Sequence, residues 1–526
     1  MMQTKTASRA CPRRWGSPPR DPPRWLATSP MWSSSSVSSP RPPRLTGSVR
    51  PSKRLEPRVL RPWAMVRGRR QVAPRVRCRV MAPCQPVGRR VRRQVARAVQ
   101  IVLFRVARMG RRPRVRLQKV GHPSPSHQLT VADPGVASES PRPPIAPEVW
   151  EFSELLAHTF GLPSELALAL LDLHGPEDTR VIAQRGELVA GLMLERVGQV
   201  WGQRVVPTAL ISGVAVRLHA RRQGLAGHLL RSSLADMREA GMATAVLYAS
   251  NDAMYRSMGF EHAGLSLTVS APPAAFARPG QVERLPVVRL KDPLPARRLY
   301  HRSMVHQDGA LDRGEAGWAT IAGEHLESVS EWIALPGPDN ELRGYLCYRL
   351  TGVGPDRRAT ITDFVATDAD AVATLQAVVS RMGPLVSEVR LNTSPDDLLW
   401  WGLTHPLGPP LRAQPWLLRV LDPARAISSW GFSSSISGQL SVRWRDPLFP
   451  EDDGDHELVV DRGRGRWQPG GAGTLPLSPR PLAALLTGRA NARTLRLSGT
   501  GRWSEEQDAL LDGIFARRDA WMRDRF

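Results

Sequence analysis

The chain has 526 residues and a formal net charge of +25 at pH 7, from 73 lysines and arginines against 48 acidic residues. No run of about 20 apolar residues occurs, which excludes a transmembrane helix, and residues 1–14 have no apolar core of the kind that a secretory signal needs. Cys347 is the one cysteine after residue 125, so a disulfide framework or a cysteine-based metal site in the body is excluded, and a reducing cytoplasm is the expected compartment.

The charge is concentrated in residues 1–125, which carry 31 basic and 2 acidic residues, whereas the remaining residues are mildly acidic. This segment has 18 prolines, no tyrosine or asparagine and no sustained period, so we predict that it is disordered. Three explanations stay open: a nucleic-acid-binding arm with arginine clusters such as Arg89 to Arg93, a solvated tail without a role, or an upstream GC-rich stretch translated from a misplaced start. The scarcity of residues with AT-rich codons favours the last.

Residues 126–147 have the composition of a linker, and regular patterning begins near Val149. A first α/β unit is predicted at 148–283. Its elements are a helix at 151–159, a hairpin of strands 181–183 and 188–194, a strand at 209–216, a helix at 224–240, a strand at 243–249, a short helix at 252–258 and a strand at 265–270.

A second α/β unit at 284–412 has roughly the same order of elements but no glycine loop. Its strands are predicted at 285–290, 344–350, 360–366 and 389–391, and its helices at 296–305 and 371–382. The last unit, 413–526, has predicted helices at 423–430, 480–487 and 504–519 and strands at 438–444 and 456–460. Four tryptophans near the junction of the last two units are expected to be core residues: Trp400, Trp401, Trp416 and Trp430.

The sharpest chemical signal follows the strand at 209–216. The chain passes Arg221 and Arg222 and enters a helix through Gly224, Ala226 and Gly227. Small residues let a ligand approach the backbone, and the free amides and dipole of a helix start favour an anion. The pattern predicts a pyrophosphate cradle that is neither a Walker loop nor a dinucleotide fingerprint. The alternative is a small-residue helix start used only for packing.

The motif Arg221-x-x-Gly224-x-Ala226 resembles the acyl-CoA loop of the GNAT superfamily of N-acetyltransferases. About one helical turn after the next strand comes Tyr255. In that superfamily a tyrosine after this strand donates to the leaving thiolate, so the resemblance implies that Tyr255 is the general acid. The alternative is a packed aromatic ring with a solvated hydroxyl.

Over residues 148–526 the chain resembles the enhanced intracellular survival family of bacterial N-acetyltransferases, which act on aminoglycosides and lysine-type amines. The resemblance implies an α/β fold with tandem acetyltransferase domains and a sterol carrier protein-like α+β domain. It also implies acetyl-CoA as co-substrate, no metal and a homo-oligomer, with the hexamer of the family as the expected form. The α-carboxylate of Phe526 would be the general base. The implied acetyl-CoA contacts are Val214, Ala215, Val216, Arg222, Gln223, Gly224, Leu225, Ala226, Gly227, Ser250 and Asn251.

The family's active site is supplied with acidic residues, whereas the penultimate residue here is Arg525. Other candidate acids are Asp524 nearby and, around the first helix, Glu151, Glu154 and Glu165. We expect the three glutamates to be solvated surface carboxylates. Substrate preference therefore stays open, more than the type of reaction does.

Three functions remain to be separated. The first is an N-acetyltransferase that acts by direct attack of an aminoglycoside-, polyamine- or lysine-like amine on acetyl-CoA. The second is a carrier of an apolar ligand with a vestigial acetyltransferase unit, and the third is a nucleic-acid binder that uses the basic tail. The intact glycine loop and Tyr255 favour the enzyme, with no membrane partner expected.

Overall fold

The computed structural model describes residues 140–277, 284–323, 330–394, 397–399, 403, 410–515 and 520–526. The basic segment that the composition predicts to be disordered lies outside the described residues, as do Trp400 and Trp401. Within the described part of the chain, no helix has the length and apolar character needed to cross a membrane.

The first helix, α1 (Ala146–Phe160), begins before Val149, so the predicted linker is too long at its C-terminal end. Pro147 lies in the first turn, where a backbone N–H is not needed for the helix. Glu148 accepts the N–H of Ile145 at 2.9 Å and pairs with Arg142 at 2.7 Å. These contacts fix the start of α1 within residues whose composition resembles a linker.

A second helix, α2 (Ser164–His174), follows and was not predicted. The first sheet strands then form a meander of β1 (Thr179–Gln184), β2 (Glu187–Trp201) and β3 (Arg204–Val216). The rest of the first unit is α3 (Leu225–Glu239), β4 (Thr244–Leu247), α4 (Asp252–Ser257) and β5 (Glu261–Ala271). The three helices and the strands predicted for this unit are therefore present, with β2 and β3 longer than predicted.

The second unit contains more elements than its sequence pattern predicts. In chain order its elements are β6 (Val288–Leu290), α5 (Leu294–Met304), β7 (Leu311–Asp312), α6 (Glu315–Ala322), β8 (Glu331–Pro336), β9 (Leu342–Thr351), β10 (Arg358–Ala366), α7 (Ala369–Ser380), β11 (Glu388–Thr393) and β12 (Arg412–Val420). The elements that the sequence analysis missed are β7, α6 and β8.

One sheet joins the first two units. Its strand order is β1-β2-β3-β4-β12-β5-β11-β10-β9-β8-β6, and β7 pairs with β2. Strand β12 is inserted antiparallel between β4 and β5, and β11 pairs antiparallel with β5. Residues 413–420, which the sequence assigns to the last domain, thus lie inside the sheet of the acetyltransferase-like units.

The last part of the chain has a separate four-stranded sheet in the order β15-β14-β13-β16. The elements are α8 (Pro423–Ser429), β13 (Gly438–Trp444), β14 (Gly454–Asp461), β15 (Arg464–Pro469), β16 (Leu475–Leu477), α9 (Pro479–Leu486), α10 (Ala492–Leu497) and α11 (Glu506–Ile514). The helix predicted at 504–519 is shorter in the structure, because α11 ends at Ile514 and residues 516–519 lie outside the described part.

A shared core connects the two sheets. Trp416 and Trp430 are buried, as expected, and Trp201 of β2 stacks on Trp430 with ring centroids 4.6 Å apart. Beside them Arg419 of β12 makes a buried ion pair with Asp446 at 2.7 Å. A buried charge is tolerated only when it is paired, so this contact holds the last domain against the large sheet.

Candidate active site

The end of β3 separates from its neighbour in the sheet. Parallel pairing between β3 and β4 extends only to Leu210 opposite Val246, although β3 continues to Val216. Gly213, with φ 59°, lies where the register between β2 and β3 shifts. A glycine tolerates this left-handed conformation, and the bulge bends the strand away from β4. The result is a gap between two parallel strands, next to residues predicted to contact acetyl-CoA.

The predicted cradle is the start of α3. Gly224 is the N-terminal cap with φ 80°, and a β-carbon at this position would have no atom within 4 Å. The backbone N–H groups of Leu225, Ala226 and Gly227 have no hydrogen-bond partner among the described residues. The first turn contains no acidic residue. An open, positively polarised helix start of this kind binds anions such as phosphates.

The loop before α3 is exposed and basic. Arg221 and Arg222 are exposed, and Arg222 has φ 65°. The side-chain amide of Gln223 donates to the carbonyl of His219 at 3.5 Å. These residues present charge to solvent beside the free amides, which is the arrangement expected for a phosphate contact.

Tyr255 lies on α4, directly after β4, and only 3 % of it is exposed. Burial raises the pKa of Tyr255 to about 12, and a hydrogen bond with the Ser250 side chain opposes the rise. Its ring packs edge-on against Phe260, with centroids 6.0 Å apart. Ser250 and Asn251, the latter of which caps α4, are both exposed. The hydroxyl is therefore a protonated donor across the neutral pH range.

Several of the predicted residues pack together in one hydrophobic cluster. Tyr255 and Leu225 belong to its buried part, and Val214 and Val216 pack against it from the end of β3. Ala215, between those valines, is buried on the other face. The structure thus brings the end of β3, the start of α3 and the predicted acid to one place.

The C-terminal residues of the chain lie beside the end of β4. Tyr248, just after β4, donates its hydroxyl to the backbone carbonyl of Asp524 at 2.9 Å. The ring of Tyr248 lies 5.4 Å from the ring of Phe526, centroid to centroid. Phe526 is half-buried. The predicted base therefore lies beside the end of β4, which is also where α4 begins.

A buried ionic cluster holds this tail in place. Arg313 pairs with Asp524 and with Asp363, each at 2.6 Å, and Arg523 pairs with Asp397 at 2.9 Å. Burial alone would raise the pKa of Asp363, but the charge and hydrogen bonds of Arg313 outweigh it and hold this pKa below its usual value. The cluster crosses from the second unit to the last residues of the chain, and none of its members except Asp524 was identified from the sequence.

A cavity of about 490 Å³ lies beside β3, and of the predicted catalytic and acetyl-CoA residues Phe526 alone is among the described residues that line it. Ser212 and Gly213 line it at the gap, and Phe526 and Asp524 line it from the tail. Most of its wall is apolar, including Leu156, Phe160, Leu162, Leu166, Leu170, Met193, Val197, Leu210, Leu311 and Ile321. Apolar clefts of this size with a few polar groups are the usual form of a small-molecule site.

Glu195 is the cavity acid that sequence reasoning missed. It lies on β2 and its carboxylate is 4.0 Å from the His174 ring. Burial raises the pKa of Glu195, His174 opposes the rise, and Asp524 adds to it. The sequence did contain a signal for this residue, because Glu195 is an acidic residue within the apolar segment that forms β2. Gly314 matters here because a β-carbon on it would lie 2.7 Å from Glu195 Oε1.

The three glutamates expected at the surface are not among the described residues that line this cavity. Glu151 instead accepts the N–H of Leu188 at 3.4 Å, and Glu154 is exposed. Asp524, which the sequence left unplaced, does line the cavity. A larger cavity of about 690 Å³ lies against the second unit, and Asp524 lines it as well, whereas Tyr255, Phe526 and the predicted acetyl-CoA contacts do not.

Family models match the chain in three places. An acetyltransferase (GNAT) domain matches residues 142–263, a second acetyltransferase (GNAT) domain matches 309–420, and a sterol carrier protein domain matches 423–523. The first match contains the gap in the sheet, the start of α3 and Tyr255. The second ends with β12 and the third begins after it.

Known proteins are similar to this chain in sequence or in fold. N-acetyltransferase Eis of Mycobacterium tuberculosis is 28 % identical over 340 residues, which are 60 % of this chain and 79 % of that protein. The crystal structure of a GCN5-related N-acetyltransferase from Anabaena variabilis shares the fold, with a TM-score of 0.70, 24 % identity, and coverage of 74 % of this chain and 100 % of that one. Eis1 of Mycobacterium abscessus gives a TM-score of 0.60 at 19 % identity, with coverage of 74 % and 100 %.

The fold, the site and these matches define the class: the chain is a GNAT acyltransferase with two acetyltransferase domains and a C-terminal sterol carrier protein-like domain. Within that class it is Eis-like. N-acetyltransferase activity, with acetyl-CoA as the co-substrate that this fold uses, follows from the class.

Proposed function

We propose that this protein transfers the acetyl group of acetyl-CoA to a primary amine by direct attack in the first domain. The observation that carries the proposal is the open start of α3 beside the gap between β3 and β4, with Tyr255 directly after β4. The second unit has no glycine loop, so the proposal assigns acetyl-CoA binding to the first domain alone. Direct transfer needs no covalent enzyme intermediate.

The residues around α3 fit the phosphates of the co-substrate. Gly224 leaves open space where a side chain would stand, and the next three backbone amides have no partner among the residues that the structure describes. We assign the pyrophosphate to Arg222, Gln223, Gly224, Leu225, Ala226 and Gly227. We assign the pantetheine arm and thioester to the end of β3 at Val214, Ala215 and Val216, and to Ser250 and Asn251. A backbone N–H of β3 at this gap would donate to the thioester carbonyl oxygen as its charge develops.

Tyr255 serves as the hydrogen-bond donor to the leaving thiolate. With its pKa raised to about 12, full proton transfer to a thiolate whose thiol has a pKa of about 8.5 is uphill by about 5 kcal/mol. Donation without complete transfer still stabilises the developing negative charge on sulfur. The proposed role of the Tyr255 hydroxyl is therefore electrostatic, and water supplies the proton.

The α-carboxylate of Phe526 is the proposed acceptor for the amine's proton. Its ordinary pKa of about 3.5 is far below that of an alkylammonium ion, about 10. The carboxylate therefore acts by attracting the ammonium group and by passing its proton to water. Support comes from the position of Phe526 in the cavity wall and from the buried cluster that holds the preceding residues.

The acceptor classes implied by the resemblance are aminoglycoside-, polyamine- and lysine-like amines. The test is to supply the full chain with acetyl-CoA and a panel of amines and to measure thiol release. We expect amine-dependent release that falls in Tyr255→Phe. Tyr348→Phe removes a hydroxyl bonded to Glu331 outside the cavity and is the matched control. Absence of release with every amine would overturn the proposed function.

Three further expectations stay proposals. The division into a first unit at 148–283, a second unit from 284 that includes β12, and a last domain after β12 is one, and the cytoplasmic location is another. The third is the homohexamer that the resemblance implies. Sedimentation of the purified full chain measures the third, since a hexamer and a monomer differ sixfold in mass.

A further inference from the structure

The carboxylate that is proposed to accept the amine's proton is not fixed by bonds of its own. Phe526 lines the 490 Å³ cavity, and its α-carboxylate forms no ion pair or hydrogen bond with another residue that the structure describes. The group is therefore available to an ammonium ion. A displacement of about 1 Å at a reacting centre can cost about 100-fold in rate, so other contacts must set its position.

The polar anchors of the tail extend as far as Arg525. The buried ionic cluster holds Arg523 and Asp524, and the Nη2 atom of Arg525 donates to the Thr268 hydroxyl. These bonds fix the path of the backbone, but they stop one residue before the carboxylate. The last residue is therefore positioned through the packing of its ring.

Tyr248 makes two contacts at this end of the chain. Its ring lies 5.4 Å from the ring of Phe526, centroid to centroid, and its hydroxyl donates to the carbonyl of Asp524 at 2.9 Å. Both rings also pack against the same hydrophobic core. Burial raises the pKa of Tyr248, so the hydroxyl stays a donor across the neutral pH range. One side chain thus holds the tail on either side of Arg525.

The position of Tyr248 in the sequence connects the tail to the site proposed for the donor. Tyr248 directly follows β4 and comes two residues before Ser250, which is assigned to the pantetheine arm and thioester. It is not among the described residues that line the cavity. Any effect of Tyr248 on the acceptor amine therefore acts through Phe526.

Resting on the proposed role of Phe526, we infer that Tyr248 is a positioning residue that holds the α-carboxylate of Phe526 beside the end of β4. Its hydroxyl fixes the backbone at Asp524, and its ring fixes the side chain of Phe526. A change at Tyr248 should alter the step that involves the acceptor amine and leave the binding of acetyl-CoA unchanged.

The first test needs no turnover. A carboxypeptidase that prefers aromatic C-terminal residues is added to the folded full chain, and mass spectrometry follows the loss of Phe526. We expect Tyr248→Phe to lose Phe526 about fivefold faster than the wild type, and Tyr248→Ala faster still, because each change removes contacts that hold the tail. Tyr348→Phe, which removes a hydroxyl bonded to Glu331, is the matched control and should behave like the wild type. Equal rates for Tyr248→Ala and the wild type would overturn the inference.

The second test is amine-dependent thiol release. Tyr248→Phe should lower kcat about tenfold and leave the KM for acetyl-CoA unchanged. A glycine added after Phe526 moves the α-carboxylate by one residue and should lower kcat at least as much. In this extended chain Tyr248→Phe should have no further effect, because the group that it positions has already moved. A merely structural role would lower kcat by the same factor in both chains, and that result would overturn the inference.

The outcomes also separate this inference from the proposed function. Full activity of Tyr248→Phe in a chain that acetylates amines would overturn the inference and leave acetyl transfer standing. Full activity of the glycine-extended chain would remove Phe526 as the proton acceptor and overturn the inference with it. Absence of thiol release by the wild type with every amine would overturn the proposed function, and the carboxypeptidase comparison would still decide whether Tyr248 holds Phe526.

Discussion

At the scale of single residues, Tyr255 shows how burial alters a chemical role. Its pKa of about 12 lies above the ordinary value of 10 because the ring is desolvated. The raised value keeps the hydroxyl protonated to higher pH and makes it a poorer proton donor. Hydrogen bonding to a thiolate is the role that both facts permit.

The first prediction concerns that hydroxyl. Tyr255→Phe should lower kcat by about 10- to 100-fold, with little change in the KM for acetyl-CoA, because the bond forms mainly in the transition state. Since the folded pKa is raised, wild-type activity should show no loss from Tyr255 ionisation between pH 7 and 10. A pH–rate series measures this. A basic limb near pH 10 that is absent from Tyr255→Phe would contradict the burial argument.

At the scale of elements, the second unit replaces the glycine loop with an ordinary helix cap. Asp368 precedes α7, accepts the N–H of Ala371 at 3.0 Å and pairs with Arg343 at 2.7 Å. The hydrogen bond from Arg343 is the largest cause that lowers the pKa of Asp368 to about 2. A carboxylate thus occupies the helix start at which the first unit has free amides.

The second prediction follows from this cap. Asp368→Ala should lower the free energy of unfolding by about 1 kcal/mol, and Asp368→Asn, which keeps a capping oxygen, by less. Because the folded pKa is lowered, the stabilisation from the ionised carboxylate is complete above the ordinary value of 3.8 and is lost as the pH falls through about 2. Urea unfolding at pH 7, 5 and 3 measures it. A deficit in Asp368→Ala that grows toward acid pH would refute this account.

At the scale of the whole molecule, the tail depends on residues far away in the chain. Arg313 joins Asp363 of β10 to Asp524, and Gln199 of β2 donates to Met522. The last residues are therefore held by both acetyltransferase-like units. This arrangement gives the second unit a structural role at the site of the first.

The third prediction tests that role. Arg313→Met leaves Asp363 and Asp524 buried without their shared cation and should lower the free energy of unfolding by about 3–5 kcal/mol. Arg297→Met, which removes a surface pair with Glu315, should cost less than about 1 kcal/mol. Thermal unfolding of the full chain compares the two. Similar midpoints for both variants would show that the cluster does not hold the tail.

Local patterns predicted much of the fold. The start of α3 was predicted because the small-residue turn at Gly224 precedes a helical stretch that Gly241 ends, and the structure gives Gly224 a φ of 80°. Helix α2 was missed because its leucine–alanine run alternates as a strand would. The position of β12 between β4 and β5 was missed because the sequence of a strand does not determine which other strands it pairs with.

The site was predictable only where its residues follow one another in the chain. Tyr255 and the cradle come within about forty residues, so a motif connects them. Glu195, Arg313 and Arg349 come from distant strands and loops, and they meet only after the two units share one sheet. Charged residues beside apolar segments are just as typical of a solvated protein surface, so the residue types alone do not indicate a site.

Calorimetric titration of the full chain with coenzyme A tests most directly whether the amides of α3 hold the phosphates of the donor. The account predicts measurable heat in the wild type and an affinity at least about tenfold lower in Gly224→Val, because the new side chain stands over the free amides and strains a φ of 80°. Gly161→Val, at the end of α1 with φ 66° and equally open space, is the matched control and should bind like the wild type. No heat with the wild type, or equal affinity in Gly224→Val, would contradict the account.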